Sequence, residues 1–285
     1  MMDNSTVLNR LFTQNTFKEL LDHDMLSETY VSVIKRYIDN TDGKNNGELI
    51  SEIYSYLKKN YRNEYFYKNT LLNKLLLGVH KPTTTTALTE IPIGKSKADF
   101  ILINGKAVVY EIKTALDTFE RLESQLSDYY KAFDHVAVVT DQKNKHTIER
   151  ILQDTPVGIY LMTDRDQISR LKPPERYSEQ LSPSEIFKVM NKEEFESVLM
   201  QVFSELPKVA PVWYYTKCHE MFCNIDISIS YPLFLKELKK RNKIIIEQYK
   251  YVPYELKTLV YFSKYRQSDY SNLHNFLSST YMKGD

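Results

Sequence analysis

The sequence is poor in the residues on which several common architectures depend. It holds two cysteines, Cys218 and Cys223. That is too few for the disulfide framework of a small secreted domain and suits a reducing compartment. Glycine is scarce, 7 in 285 residues, and no Gly-rich phosphate loop occurs, which excludes a built-in NTPase motor. No apolar run approaches the roughly 18 residues that cross a bilayer. The opening Met1-Met2-Asp3-Asn4-Ser5 lacks the basic-then-apolar layout of a signal peptide. Net charge is nearly nil, at +1, so any nucleic-acid surface has to be a local patch. The histidines, His80, His135 and His146 among them, fall into no Ser/His/Asp or Cys/His set, which leaves nucleophilic catalysis unsupported. Cys218-His219 with Cys223 offers fewer ligands than a structural zinc takes. These absences predict a cytoplasmic globular protein with no membrane partner, and they leave its oligomeric state open.

What remains is an ordinary globular balance, 42% hydrophobic and 26% charged. The chain reads in three parts: a helical segment over 1–60, an α/β core over 61–172 and a mainly helical domain over 173–285. In the first part Phe17, Leu20 and Leu21 mark one helix, Tyr30, Ile34 and Ile38 a second, and Leu49, Ile53 and Tyr56 a third. A fourth helix runs from about Glu64 to Leu77 and stops at Gly78, with Pro82 beyond.

From Ala87 the period changes to that of strands. Residues 87–93, 98–103 and 107–113 are three short β runs, the last two joined by Asn104-Gly105, a strong hairpin signal. A helix is expected to open at Asp117, with Glu120 as the reciprocal capping partner. A strand over 135–140, a polar helix near 144–153 and a strand over 157–162 follow, and Pro173-Pro174 closes the region. Such alternation predicts an α/β layer architecture with one central sheet. Beyond residue 180 helices dominate, with a strand expected at Ile225–Ile229.

Asp99 lies near the start of the second run. Twelve residues on, across the Asn-Gly turn, comes Glu111-Ile112-Lys113. Alternation along a strand points Glu111 and Lys113 to one face, and the hairpin can bring Asp99 beside them. Two converging carboxylates repel unless a cation lies between them. A hard divalent ion such as Mg²⁺ or Mn²⁺ takes oxygen ligands, with the Ile112 carbonyl as a third, and activates a bound water. Lys113 would orient that water and stabilise developing negative charge. Surface strand charges or a plain ion pair would give the same bare pattern. The apolar Val108-Val109-Tyr110 leading into it argues for a buried strand, where charge without purpose is costly. On the helix that follows, Gln125 and Tyr129 share a face at i, i+4.

The stretch TEIPIGKSKADFILINGKAVVYEIKTALDTFERLESQLSDYYKAFDHVAVVT, residues 89–140, resembles the sce7726 family of the PD-(D/E)XK nuclease superfamily. The likeness rests on Glu111 to Lys113, on Asp117, Thr118, Arg121 and Leu122 as Asp-Thr-x-x-Arg-Leu, and on Gln125 and Tyr129 as the Gln-x-x-x-Tyr element of RecB-like nucleases. It covers about a fifth of the chain. The family often has Ser where this chain has Thr114, a change that leaves the ligands intact. The resemblance implies a restriction-endonuclease-like αβββαβ core with a mixed central sheet and helical additions at both ends. It implies a Mg-dependent deoxyribonuclease with Asp99, Glu111, Lys113, Gln125 and Tyr129 as its catalytic set. It also implies a further carboxylate ligand on the helix before the sheet, for which Glu64 is the candidate and Glu90 on the first strand the rival.

Residues 236–266 hold nine Lys or Arg against three acids, with five tyrosines interleaved. Basic residues track phosphates and aromatics stack on bases, so Lys239, Lys240, Arg241 and Lys243, with Arg121, are the candidate DNA contacts. The competing reading is a helical accessory domain with a solvated basic face and tyrosines in its core. For the whole protein, the rival to a nuclease is a catalytically silent nucleic-acid-binding or regulatory module of the same fold.

Overall fold

The computed structural model describes residues 4–22, 27–115, 117–163, 165–242 and 244–282; the first three residues of the opening stretch lie outside them. The chain forms two compact units, one gathering residues up to Asn73 with those from 243 onward, the other spanning Lys74–Asn242. No helix among the described residues is long and apolar enough to cross a membrane.

The first unit begins with α1 (Asn4–Leu11), α2 (Gln14–Asp22), α3 (Glu28–Tyr37), α4 (Asn46–Asn60) and α5 (Glu64–Leu71). Their starts are written locally. Ser27 and Asn63 cap α3 and α5, and Asn45 with Glu48 forms a reciprocal capping box on α4. Each such cap is worth about 1 kcal/mol. After α5 the chain continues as a π-helical stretch, Leu72–Leu77.

The second unit carries a six-stranded mixed sheet in the order β1 (Thr86–Ile93), β2 (Ser96–Asn104), β3 (Lys106–Lys113), β4 (Val136–Asp141), β5 (Gly158–Met162) and β6 (Ile168–Lys172). Strands β1–β2 and β2–β3 are antiparallel hairpins, β3–β4 and β4–β5 are parallel, and β5–β6 is antiparallel. Parallel neighbours need crossovers, which α6 (Leu122–Tyr130) and α7 (Lys145–Ile151) supply. Central β3 is buried along nearly its whole length, as expected of a strand covered on both faces. One face carries Ile101, Ile103, Ala107, Val109, Val136 and Val138, packed with Leu122, Leu126 and Tyr129 of α6. On the other, Tyr110 meets Phe100 and Tyr160 edge-on.

Two sequence expectations need correction here, and one strand lies outside them. The helix after β3 opens at Leu122, not Asp117, because the Asp117 carboxylate turns back to accept from the amide and hydroxyl of Thr114, both at 2.7 Å. Residues 225–229 are not a strand; Asp226 caps α11 (Ile227–Lys239) by accepting from the Ser228 amide. Strand β6 went unread, since ISRLK is a short, largely uncovered edge with little apolar alternation.

Helices α8 (Pro183–Val189), α9 (Lys192–Phe203) and α10 (Pro211–Cys223) precede α11, and their apolar residues join the core of the sheet unit. Cys223 Sγ lies 3.5 Å from His219 Nε2, which also meets the Ser184 hydroxyl. Burial pushes both thiols up, so they are poor thiolate ligands. The chain then returns to the first unit with α12 (Ile246–Tyr249), α13 (Lys257–Phe262) and α14 (Gln267–Ser278). Buried Asn46 accepts from the Tyr30 hydroxyl at 2.9 Å and donates to the Phe276 and Ser279 carbonyls. Asn69 joins Tyr54, Tyr254 and Thr258. The two amides satisfy backbone groups that burial would otherwise leave orphaned.

Candidate functional site

The ladder between β2 and β3 stops at the pair Phe100–Tyr110. One step further, in the same register, Asp99 stands opposite Glu111. There the strands part, and the Ile112 amide donates to Asp99 Oδ2 at 2.8 Å. On the other side of β2 the β1 ladder skips one position, between Thr89–Phe100 and Ile91–Ala98. The skipped residue is Glu90, with a left-handed φ of 57°, a conformation that costs a non-glycine residue on the order of 1 kcal/mol or more. The Thr89 hydroxyl donates to the Asp99 carbonyl at 2.7 Å. Asp99 therefore sits where the sheet opens toward both neighbours.

Glu111 continues the face of Ala107 and Val109, which α6 covers. Its relative exposure is 2%, and that of Lys113 is 7%. Buried charge is tolerated when paired and hydrogen-bonded, and here it is. Lys113 Nζ lies 3.0 Å from Glu111 Oε1 and donates to Gln125 Oε1 at 2.7 Å. The Tyr129 hydroxyl donates to Glu111 Oε2 at 2.6 Å and lies 3.0 Å from the Lys97 carbonyl. Burial pushes the Tyr129 phenol far up, and the charges of Glu111 and Asp99 push it further, so it remains a donor. Gln125 and Tyr129 thus face the strand that bears Lys113.

The position of α6 is fixed by a contact that no local sequence pattern announces. Gly94, with φ 59°, turns the β1–β2 hairpin directly beneath Asp128. The Asp128 carboxylate accepts from the Lys95 amide at 3.1 Å and from the Ser96 hydroxyl at 2.8 Å. A Cβ on Gly94 would come within 2.6 Å of that carboxylate. At the carboxyl-terminal end of β3 the Thr140 hydroxyl donates to the Lys113 carbonyl at 2.7 Å, and Asn144 donates to Thr140 Oγ1 at 3.0 Å.

Glu90 pairs with Lys97 at 2.5 Å and has a carboxylate oxygen within 4.8 Å of one on Asp99. Glu64 lies on α5 of the other unit and pairs with Lys68. Arg121 is exposed just before α6. Lys239 is exposed at the end of α11, while Lys240 is paired with Glu237 at 2.6 Å. The Arg241 guanidinium is committed to both oxygens of Glu194, each at 2.6 Å, and to the Val189 carbonyl. Lys243 lies outside the described residues. Tyr249 and Tyr261 are buried, and Lys257 donates to the Tyr249 carbonyl, so part of the basic stretch is built into packing.

The chemistry available at the strand parting is that of oxygen donors beside a buried ammonium. Asp99 and Glu111 bring two carboxylates to facing positions, and Lys113 supplies a point charge that Gln125 steers.

No curated protein and no solved structure matches the chain. The family model described as bacteriophage P4 protein cII matches residues 57–250, a span that takes in the whole sheet unit. With more than half of its length matched, the chain belongs to the bacteriophage P4 protein cII family.

Proposed function

We propose that the sheet unit is a metal-dependent nuclease that hydrolyses DNA phosphodiester bonds, built on a restriction-endonuclease-like core and similar to the sce7726 branch of the PD-(D/E)XK nucleases. The observation that carries this reading is the parting of β2 and β3 at Asp99 and Glu111, with Lys113 buried beside Glu111 at 3.0 Å. Two carboxylates and a lysine at the splayed end of a hairpin are costly to keep there unless they do chemistry.

The residues fit a hard divalent cation, Mg²⁺ or Mn²⁺, because Asp99, Glu111 and the Ile112 carbonyl offer only oxygen; Glu90 is near enough to Asp99 to be a further ligand. Such an ion, when bound, lowers the pKa of a coordinated water and offsets charge on the phosphate. Tyr129 holds one Glu111 oxygen in place through its hydroxyl proton. Gln125 holds the Lys113 ammonium beside the site, where it stabilises negative charge that develops on the attacked phosphate. Exposed Arg121 and Lys239 remain the candidate phosphate contacts, with Lys243.

A second reading, a silent nucleic-acid-binding module, draws on one observation. Both oxygens of Glu111 already have protein partners, Lys113 and Tyr129. A cleavage assay on supercoiled and linear DNA with Mg²⁺ or Mn²⁺ separates the two. Under the nuclease reading the wild type cuts, chelation stops it, and Glu111→Gln binds DNA without cutting. Binding with no cleavage by the wild type under any divalent ion would establish the silent module instead.

A further inference from the structure

Fifteen large hydrophobic residues are exposed among the described residues, and six of them fall between positions 200 and 215: Met200, Phe203, Val209, Val212, Trp213 and Tyr215. They occupy the last turn of α9, the connection to α10 and the first turns of α10. Val212 is 75% exposed and Trp213, the sole tryptophan, 64%. The segment is held in place from beneath. Tyr214 donates to Glu196 at 2.6 Å, Lys192 lies over its ring, and the Tyr215 ring meets Phe187 and Phe195. Ordered apolar residues concentrated in this way mark an interaction surface. A covered aromatic side chain buries about 150–250 Å². Six partly exposed side chains therefore offer roughly several hundred Å², the scale of the about 800 Å² per partner of a standard interface.

The charge around the patch selects the partner. Its connecting loop carries one exposed acid and one exposed base, Glu205 and Lys208, three residues apart and in no ion pair among the described residues. A surface for nucleic acid or an anionic membrane would carry an excess of positive charge, and this one is balanced. Balance of this kind complements itself. A twofold axis through the loop would set Glu205 of each copy against Lys208 of the other, the reciprocal pairing that an isologous contact requires. We propose that this patch is the self-association surface of the protein and that its occupant is a second copy of this chain.

Sedimentation velocity of the full chain over a concentration series tests the proposal. The wild type is expected to be dimeric at micromolar concentration. Trp213→Asp should weaken the dimer by about 30-fold or more, the scale of an interface hot spot. Glu205→Lys and Lys208→Glu should each weaken it by about tenfold through like charges brought face to face. The double reversal, Glu205→Lys with Lys208→Glu, should restore it. All three positions are exposed, so circular dichroism should show the fold unchanged. A wild type that stays monomeric to hundreds of micromolar would overturn the proposal, as would a dimer that Trp213→Asp leaves intact, or single reversals that the double reversal does not repair. Binding of a monomeric wild type to anionic vesicles would assign the patch to a membrane instead.

Discussion

Two polar clusters sit at opposite ends of the parallel pair β3–β4, and they are built differently. At the amino-terminal end, Asp134 is a closed knot. Its carboxylate accepts from Tyr231 at 2.6 Å, from His135 at 2.8 Å and from Arg176 at 3.1 Å, and its carbonyl accepts from the Tyr177 amide. Apart from the neighbouring His135, the partners come from segments that have to be tied to the sheet, Tyr231 on α11 among them. At the carboxyl-terminal end, Asp99, Glu111 and Lys113 lie where the ladder has been opened on both sides of β2, with a left-handed Glu90 as part of the cost. The first arrangement spends its hydrogen bonds on joining elements. The second spends them on holding two carboxylates and an ammonium where strands part, the end at which open α/β sheets bind ligands.

The sharpest way to break the comparison is to remove one acid from each end. Asp134→Ala leaves Tyr231 and His135 without their shared acceptor and is expected to cost about 3–5 kcal/mol, as other broken buried charge networks do. Denaturant unfolding measures it, and under the nuclease reading cleavage per folded molecule should be unchanged. A loss of cleavage with stability intact would erase the distinction between the two ends.

Lys113→Ala should act on the chemistry as well as on stability, because Glu111 also loses its buried ion-pair partner. Under the nuclease reading the ion still binds, while the chemical step slows by about 10²–10³-fold. Lys113→Arg should fail to rescue it, because a planar fork cannot place a point charge as an ammonium does. Single-turnover cleavage measures both, and a fully active Lys113→Ala would exclude a catalytic role for the ammonium.

A smaller effect is expected at the hairpin that seats α6. Gly94→Ala puts a methyl group against Asp128 and strains a positive φ, for a loss of about 1–2 kcal/mol. Because α6 carries Gln125 and Tyr129, under the nuclease reading cleavage should fall as well, and melting curves with parallel rates would show the two losses together. Unchanged melting would mean that the hairpin does not position the helix.

The smallest effect is in pH. Burial raises the carboxyls of Asp128 and Asp134, but hydrogen bonds from Lys131 and Ser96 in one, and from His135 and Tyr231 in the other, outweigh it and hold both below the usual carboxylate range. Groups lowered by folding contribute stability above their unfolded pKa and lose it as pH falls through the folded value. Acid titration of the wild type should therefore show stability falling at the acid end of the carboxylate range. Asp128→Asn should flatten part of that slope, and an unaltered slope would remove Asp128 from the account.

The pieces legible in the sequence are those where local signal and tertiary need agree. Asn104-Gly105 marked the β2–β3 turn, and the apolar run into Glu111 marked a strand covered on both faces. The helical spacing of Gln125 and Tyr129 put both on the side that meets Lys113. What was not legible depended on competition or distance. Asp117 could cap a helix or fold back on Thr114, and the local turn won. Asp226 opens a helix inside a run that reads as a strand. No local pattern announces that Asp128 will seat the β1–β2 hairpin or that Glu90 will take a left-handed conformation opposite Asp99. The basic stretch from 236 to 266 left two readings open for the same reason. Charge is visible in a sequence, but the commitment of Arg241 to Glu194 depends on residues far away in the chain.

The most direct test of the central claim is calorimetric titration of Mg²⁺ or Mn²⁺ into the wild type and into the double variant Asp99→Asn with Glu111→Gln. The account predicts a saturable site in the wild type that is absent from the folded double variant. Undiminished binding in the double variant, or no saturable binding in the wild type, would contradict it.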